Sequence, residues 1–458
     1  MRSDWSKGAR VVADCGGSEL ETAGGPTNAI QFHHIFDIDV EPESFRRAAT
    51  RELMALPLEG VKVLDFTAIM AGPYCTLMLA DMGAEVTKIE SFPEGDGSRR
   101  FDPKVNGESY CFAVLNRNKR SVAVNLKDAR GKEVFMKLAR DADIVIENYR
   151  PGVARKLGVD YDAIKGINPD IIYASISGFG QTGPYSRKGG FDIIAQGMSG
   201  IMTMTGEPGG RPAKVGIAMN DIAAGTTALY AILGAYIKRL KTGEGVYLET
   251  SLMEAGMAWT FWEFGAYFGG GEVPIATGTR HRRSTPYQAY RTQDAYVTVG
   301  ANNDKLWSAF CTQVLEHPGL MQDARFKTLA ARLKNIDALQ DEIERVFATQ
   351  PTGHWVKKLD AAGVPGGPVF NYVQAFDNEH SRARNMVAEI DHPKIGRMKI
   401  LGNPVKASAE LARSRTPAPW LGQHSAEVLK SLGYDDGQIA ALFREGVVYD
   451  KFREKATA

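Results

Sequence analysis

Apolar and polar residues alternate through Gly60-Val61-Lys62-Val63-Leu64-Asp65-Phe66 up to the turn signal Gly72-Pro73, which predicts a strand and a tight connection. From Tyr74 to Met82 the apolar residues recur at helical spacing, and Glu85-Val86-Thr87-Lys88-Ile89-Glu90 returns to a strand period. The unit repeats. Ser121 to Leu126 reads as a strand, Asp128 as the cap of a helix running to about Ala142, and Asp143-Ile144-Val145-Ile146-Glu147 as the next strand. Ile171 to Ile176 adds another. Such alternation predicts an α/β fold: a parallel sheet covered by helices on both faces, with ligands bound beyond the carboxyl ends of the strands.

The pattern changes after about Met257. Trp259, Phe261, Trp262, Phe264, Tyr267 and Phe268 crowd a segment closed by Gly269-Gly270-Gly271, and a domain boundary is placed there. Beyond Pro286 the chain reads as two strands, Gln288 to Arg291 and Ala295 to Gly300, then helices around Leu306–Leu315 and Ile336–Phe347, which makes a smaller α+β domain. No longer period recurs, so a solenoid is not indicated.

Composition narrows the class. With 458 residues, 44% hydrophobic and 24% charged, the chain is an ordinary globular protein of two expected domains. A formal net charge of +1 supplies no field to draw it to nucleic acid or an anionic membrane, so a small ligand held by local groups is expected. Cys15, Cys75, Cys111 and Cys311 are far apart and have no His at ligand spacing, which argues against disulfides and a metal site. Apolar runs such as Ala223 to Ile237 fall short of the roughly 20 residues a bilayer span needs. Residues 1–53, broken by Gly16-Gly17 and Gly24-Gly25-Pro26 and made acidic by Asp37, Asp39, Glu41 and Glu43, read as a flexible extension. They lack the features of signal and transit peptides, so a cytoplasmic location is expected, with Met54 as the natural start or the extension as a dispensable arm.

Gly178-Phe179-Gly180-Gln181-Thr182-Gly183 matches the dinucleotide fingerprint G-x-G-x-x-G, but Pro184 and Arg187-Lys188-Gly189-Gly190 follow where a helix should open. We therefore read a glycine-rich loop whose backbone can approach an anion or carbonyl, not an NAD site. Asp221 precedes a helical run, Ile222 to Leu240, and local sequence favours Asp221 or Asn220 as its cap. Basic residues in Asn116-Arg117-Asn118-Lys119-Arg120, Asn148-Tyr149-Arg150 and Arg187-Lys188 are assigned to loops on the ligand side. In Arg280-His281-Arg282-Arg283 three guanidinium groups repel one another unless an anion or solvent relieves them, and a carboxylated substrate would do so. No Ser-His-Asp arrangement or nucleophile elbow points to a hydrolase.

Taken together, these segments resemble one family. Leu58 to Phe66 with Ala71-Gly72-Pro73, Gly83-Ala84-Glu85-Val86 and Asn116 to Ser121 are similar to the class III CoA-transferases of the formyl-CoA transferase type. Further matches are Glu147 to Gly152, Ser177 to Pro184, Lys241 to Gly245, Leu421-Gly422-Gln423-His424 and Leu432-Gly433-Tyr434, so the resemblance spans about Leu56 to Val448. It implies a Rossmann-like large domain built from both chain ends (54–256 and 376–458), a linker and smaller domain (257–375), and an interlocked homodimer. It makes Asp221, in Ala218-Met219-Asn220-Asp221, the catalytic nucleophile, reversing the preference for a mere cap. A carboxylate with an ordinary pKa is ionised at neutral pH and needs no general base.

The resemblance also implies CoA contacts at Met70, Ala71, Val124, Asn125, Lys127, Asn148, Tyr149, Arg150, Lys156 and Phe191, with Lys127, Arg150 and Lys156 on phosphate. Ser91 stands where these enzymes carry Arg. CoA enters as a substrate, with no tightly bound cofactor and no metal. Two alternatives remain: an α-methylacyl-CoA racemase, which needs an imidazole where Gly190-Phe191-Asp192 offers Phe191, and a catalytically silent CoA-binding protein. Gly278-Thr279-Arg280-His281 with Pro286 to Tyr290 is similar to the subgroup that pairs succinyl-CoA with dicarboxylic acceptors, which assigns Arg280, His281, Arg282 and Arg283 to the substrate. Formate and oxalate rank lower, because the tetraglycine loop of the enzymes that use them is missing.

Overall fold

The structure, a computed structural model, describes residues 56–453; the extension 1–53 and the start assigned to Met54 lie outside the described residues. Six parallel strands, β1 (Lys62–Phe66), β2 (Glu85–Glu90), β3 (Lys119–Val124), β4 (Ile144–Glu147), β5 (Ile172–Ser177) and β6 (Val246–Ser251), form the large sheet. Strands β7 (Tyr287–Arg291), β8 (Tyr296–Gly300) and β9 (Gly366–Pro368) form an antiparallel sheet, and β10 (Val387–His392) pairs with β11 (Gly396–Leu401). Finally β12 (Val448–Tyr449) returns to pair antiparallel with β3. The large sheet has the order β12-β3-β2-β1-β4-β5-β6. Among its parallel strands this is the Rossmann order, in which the direction of winding reverses between β1 and β4 and opens a crevice at their carboxyl ends.

Strands β1 to β5 are buried along nearly their whole length, as expected of a sheet covered on both faces. One face carries α1 (Ala71–Asp81) and a long helix (Met219–Thr242) over Val63, Val86, Ile144 and Ile172. On the other face α2 (Ala129–Arg140), capped by the Asp128 side chain as expected, packs with Val428, Leu429, Ile439 and Leu442 over Leu64, Val122 and Val145. A third cluster is built wholly from Tyr290 to Val364 around the small sheet.

One basic segment is placed differently from its sequence reading. Strand β3 begins at Lys119, so Asn116 to Arg120 enter the sheet at the end opposite the ligand crevice. Asn116, Arg117, Asn118 and Lys119 are buried: Arg117 pairs with Asp81 at 2.6 Å, and the Lys119 ammonium meets Asp65 at 3.0 Å. Their charges hold the fold together, not a ligand.

Candidate functional site

The crevice is framed by the loop after β1 and the loop after β4. Under the first loop lies a buried ionic cluster: Asp65 contacts Lys119, and Lys88 contacts Asp96 at 3.0 Å and donates to the Thr67 carbonyl at 2.7 Å. Burial alone would raise the Asp65 carboxyl, but the Lys119 and Lys88 ammonium groups hold it well below the usual carboxylate range. Above this cluster Ile69 adopts φ +72°, a left-handed conformation that costs a β-branched residue on the order of 1–3 kcal/mol. Hydrogen bonds fix it there, because the Ile69 N–H donates to Asp96 Oδ1 at 3.0 Å and the Ala68 N–H donates to Asn148 Oδ1 at 2.8 Å. Asn148 Nδ2 returns a 2.8 Å bond to the Ala68 carbonyl. One side chain therefore joins the two loops across the crevice.

Asp221 reaches the same end of the sheet. It is the third residue of the helix Met219–Thr242, whose N-cap, Ala218, makes no side-chain cap bond. Neither Asp221 nor Asn220 caps it, which corrects the local reading. The cap comes from Asp192, which opens α3 (Asp192–Met198): its Oδ1 accepts the Asn220 N–H at 2.9 Å and the Asp221 N–H at 3.4 Å. Gln196 holds Asp192 through Nε2 at 2.7 Å, and buried Asn220 donates to the Leu252 carbonyl at 2.9 Å. We call the long helix α4. One turn on from Asp221, on the same face, a Cβ added to Gly225 would lie 2.6 Å from the Ala71 carbonyl oxygen. That close approach seats Asp221 about one helical turn from Met70 and Ala71.

The Asp221 carboxylate accepts no hydrogen bond and makes no ion pair among the described residues, unlike the other acidic groups of the crevice. Burial, and then the Asp192 charge, push it up to about 7. Ionisation at neutral pH is thus only partial in the unliganded chain, which corrects the expectation of an ordinary carboxylate.

Of the other sequence candidates, Met70 and Ala71 begin α1, while Asn148, Tyr149 and Arg150 form the loop after β4. Val124 is buried at the end of β3; Asn125 and the exposed Lys127 follow it, about 10 Å across the sheet from β1. Lys127, Arg150 and Lys156 are exposed and have no ion-pair partner among the described residues. Phe191, 69% exposed, immediately precedes Asp192, and Ser91 is exposed after β2. The Arg loop is tied by the Gly278 N–H, which donates to the Gly206 carbonyl at 2.8 Å, to the segment that precedes α4. Arg280 pairs with Asp337 at 2.7 Å, Arg282 with Glu263 at 3.7 Å and Arg283 with Glu272 at 2.6 Å, while His281 Nδ1 accepts the Arg283 N–H. Internal carboxylates already relieve the three guanidinium groups, so their mutual repulsion does not require an anion.

The glycine-rich loop after β5 opens no helix, consistent with rejecting a dinucleotide fingerprint; Gly178 packs directly on Gly190, where a Cβ would lie 2.6 Å from the opposing Cα. A cavity of about 350 Å³ lies beside it, lined among others by Glu147, Arg150, Gln181, Tyr173 and Tyr247. Sequence reasoning missed Asp192 as the cap and Glu147 as a cavity wall, because neither contact has a local signature. Among the described residues no group of His, Cys, Asp and Glu could hold a metal ion, and no helix is long and apolar enough to cross a membrane.

Comparison with known proteins agrees with this geometry. Residues 58–425 match the family described as CoA-transferase family III. The chain is 38% identical to succinyl-CoA:glutarate CoA-transferase of Mus musculus over 86% of this chain and 90% of that protein. It is 36% identical to acetyl-CoA:oxalate CoA-transferase of Acetobacter aceti (82% and 95% covered) and to succinyl-CoA:mesaconate CoA-transferase of Haloarcula marismortui (83% and 97%). The crystal structure of a CAIB/BAIF family protein from Brucella suis superposes with a TM-score of 0.75 at 34% identity, covering 83% of this chain and all of that one. A match over most of the chain, on a Rossmann-ordered sheet with an unpartnered carboxylate at its crevice, makes this protein a CoA-transferase of family III.

Proposed function

We propose that the chain transfers CoA from succinyl-CoA to a dicarboxylic acid, with Asp221 as the covalent carrier. The observation that carries this reading is the Asp221 carboxylate itself, partly buried, free of protein partners and one helical turn from the Ala71 backbone. The activities of the relatives, succinyl-CoA:glutarate and succinyl-CoA:mesaconate CoA transfer, support the substrate class. Ionised Asp221 attacks the donor thioester carbonyl, forming a mixed anhydride and expelling CoA thiolate. The thiolate attacks the aspartyl carbonyl, giving an aspartyl-CoA thioester and free succinate; the acceptor carboxylate then runs both steps in reverse and restores Asp221. No proton need move, provided that Asp221 starts ionised. The positive end of α4 favours that state and opposes the effect of burial. Water would hydrolyse the anhydride, so closure over the crevice by the 257–375 domain or the glycine-rich loop is part of the proposal.

CoA itself is assigned to Met70, Ala71, Val124, Asn125, Lys127, Asn148, Tyr149, Arg150, Lys156 and Phe191, and the acceptor to the Arg280–Arg283 loop. A large domain from both chain ends and an interlocked homodimer complete the reading. Helix α6 supports the dimer; with α5 at Leu252–Ala258, α6 spans Phe261–Gly270 and buries none of its residues, leaving Phe261, Trp262 and Phe268 79%, 87% and 71% exposed. The test is an acceptor screen with succinyl-CoA, including glutarate, mesaconate, oxalate and monocarboxylates, with hydroxylamine quenching and peptide mass spectrometry. A hydroxamate on Asp221 and turnover with dicarboxylates are expected. Acceptance of monocarboxylates alone would remove the Arg loop from the substrate site, and racemisation of an acyl-CoA without an acceptor would replace the whole mechanism.

A further inference from the structure

The loop Asn148–Gly152 is held on its crevice side by Asn148 and by the Tyr149 ring, which packs edge-on against Phe66 at 4.8 Å, while Arg150, Pro151 and Gly152 border the 350 Å³ cavity. A hydrogen-bond chain ties its backbone to the neighbouring loop. Gln181 Nε2 donates to Ser175 Oγ at 2.6 Å, Ser175 Oγ donates to Glu147 Oε1, and Glu147 Oε2 accepts the Tyr149 N–H at 2.7 Å. The middle of the chain is buried, with Glu147 4% and Ser175 1% exposed. Its far end, Gln181, lies in the glycine-rich loop, whose Gly178 is in contact with Gly190, two residues before the Asp192 cap of α4.

We propose that Glu147 is a positioning residue that couples the loop Asn148–Gly152 to the glycine-rich loop through Ser175 and Gln181. The coupling holds in one geometry the segment that receives CoA, and it rests on the reading of Asn148, Tyr149 and Arg150 as CoA contacts. Both oxygens of residue 147 are engaged, one by the Ser175 hydroxyl and one by the Tyr149 N–H. A glutamine there can keep both bonds, its oxygen accepting the Tyr149 N–H and its NH2 donating to the Ser175 hydroxyl, whereas an alanine removes both and leaves the Tyr149 N–H and the buried Ser175 hydroxyl without that partner.

Full-length E147A, Q181A, the double variant and S175A test the coupling, with free CoA binding read by calorimetry, KM for succinyl-CoA and kcat read by turnover, and melting curves to check folding. Each single variant is expected to weaken CoA binding and raise KM about three- to tenfold, with kcat changed less than about twofold. The double variant should do no more than the worse single one, because both cut the same chain. Additive effects, or an unchanged KM in well-folded E147A and S175A, would overturn the coupling while leaving the site in place. Failure of the wild-type chain to bind CoA would instead refute the assignment of the loop, and the coupling with it.

Discussion

Two carboxylates at the head of α4 set the conditions under which Asp221 can act. Asp192 secures the helix by accepting its first free N–H groups, yet its charge, after burial, is what keeps the Asp221 proton in place. On the proposed mechanism, an Asp221 carboxyl raised to about 7 makes kcat/KM fall as pH drops through neutrality, since that ratio reports the free enzyme. Asp192→Asn keeps an oxygen to accept from Asn220, gives up the Gln196 bond to its second oxygen and removes the charge. The acid limb of the kcat/KM profile is therefore expected to move toward lower pH, so that activity at pH 6 relative to pH 8 rises. An unmoved limb would mean that burial alone sets the Asp221 pKa.

Helix α4 aims that carboxylate by lying directly on the start of α1. Because a Cβ at Gly225 would fall 2.6 Å from the Ala71 oxygen, Gly225→Ala should push the helix away and displace Asp221. A shift approaching 1 Å at the Asp221 carboxylate is expected to lower kcat about tenfold or more, and overpacking against a backbone oxygen to cost about 1–3 kcal/mol, read as a lower melting temperature. Elements of this kind differ in how openly the sequence announces them. Strand β2 and the helix Ile336–Phe347 match their predicted limits, since each carries its own periodicity and the helix a sharply amphipathic face. Strand β6 was absent from the sequence reading: as the edge strand it keeps its inward residues only partly buried and gives a weak signal. Strand β3 starts earlier than its apolar run, at Lys119, because the charge there is satisfied by Asp65, more than fifty residues away. For the same reason the Asp192 cap was illegible. The resemblance assigns Asp221 the role proposed for it above but says nothing of the Asp192 cap beside it.

At the scale of the whole molecule, α6 is the surface that the proposed dimer would cover. An aromatic helix with no buried residue would otherwise face water. Trp262→Asp is expected to shift the protein from dimer to monomer in sedimentation and to abolish turnover. A fully active monomer would remove the dimer from the proposal. The other end of the fold poses a problem of timing. Strand β3 ends at Val124, and one of its edges is covered by β12, which follows roughly three hundred residues later in the chain. At about 5–20 residues per second, a ribosome leaves that edge open for roughly 15–60 s. Through that interval the nascent chain presents a ready template for strand pairing, with Lys119 and Arg120 the nearest charges to discourage it. Synthesis rate and chaperone supply, as much as any contact in the finished fold, then govern how much active protein a cell recovers.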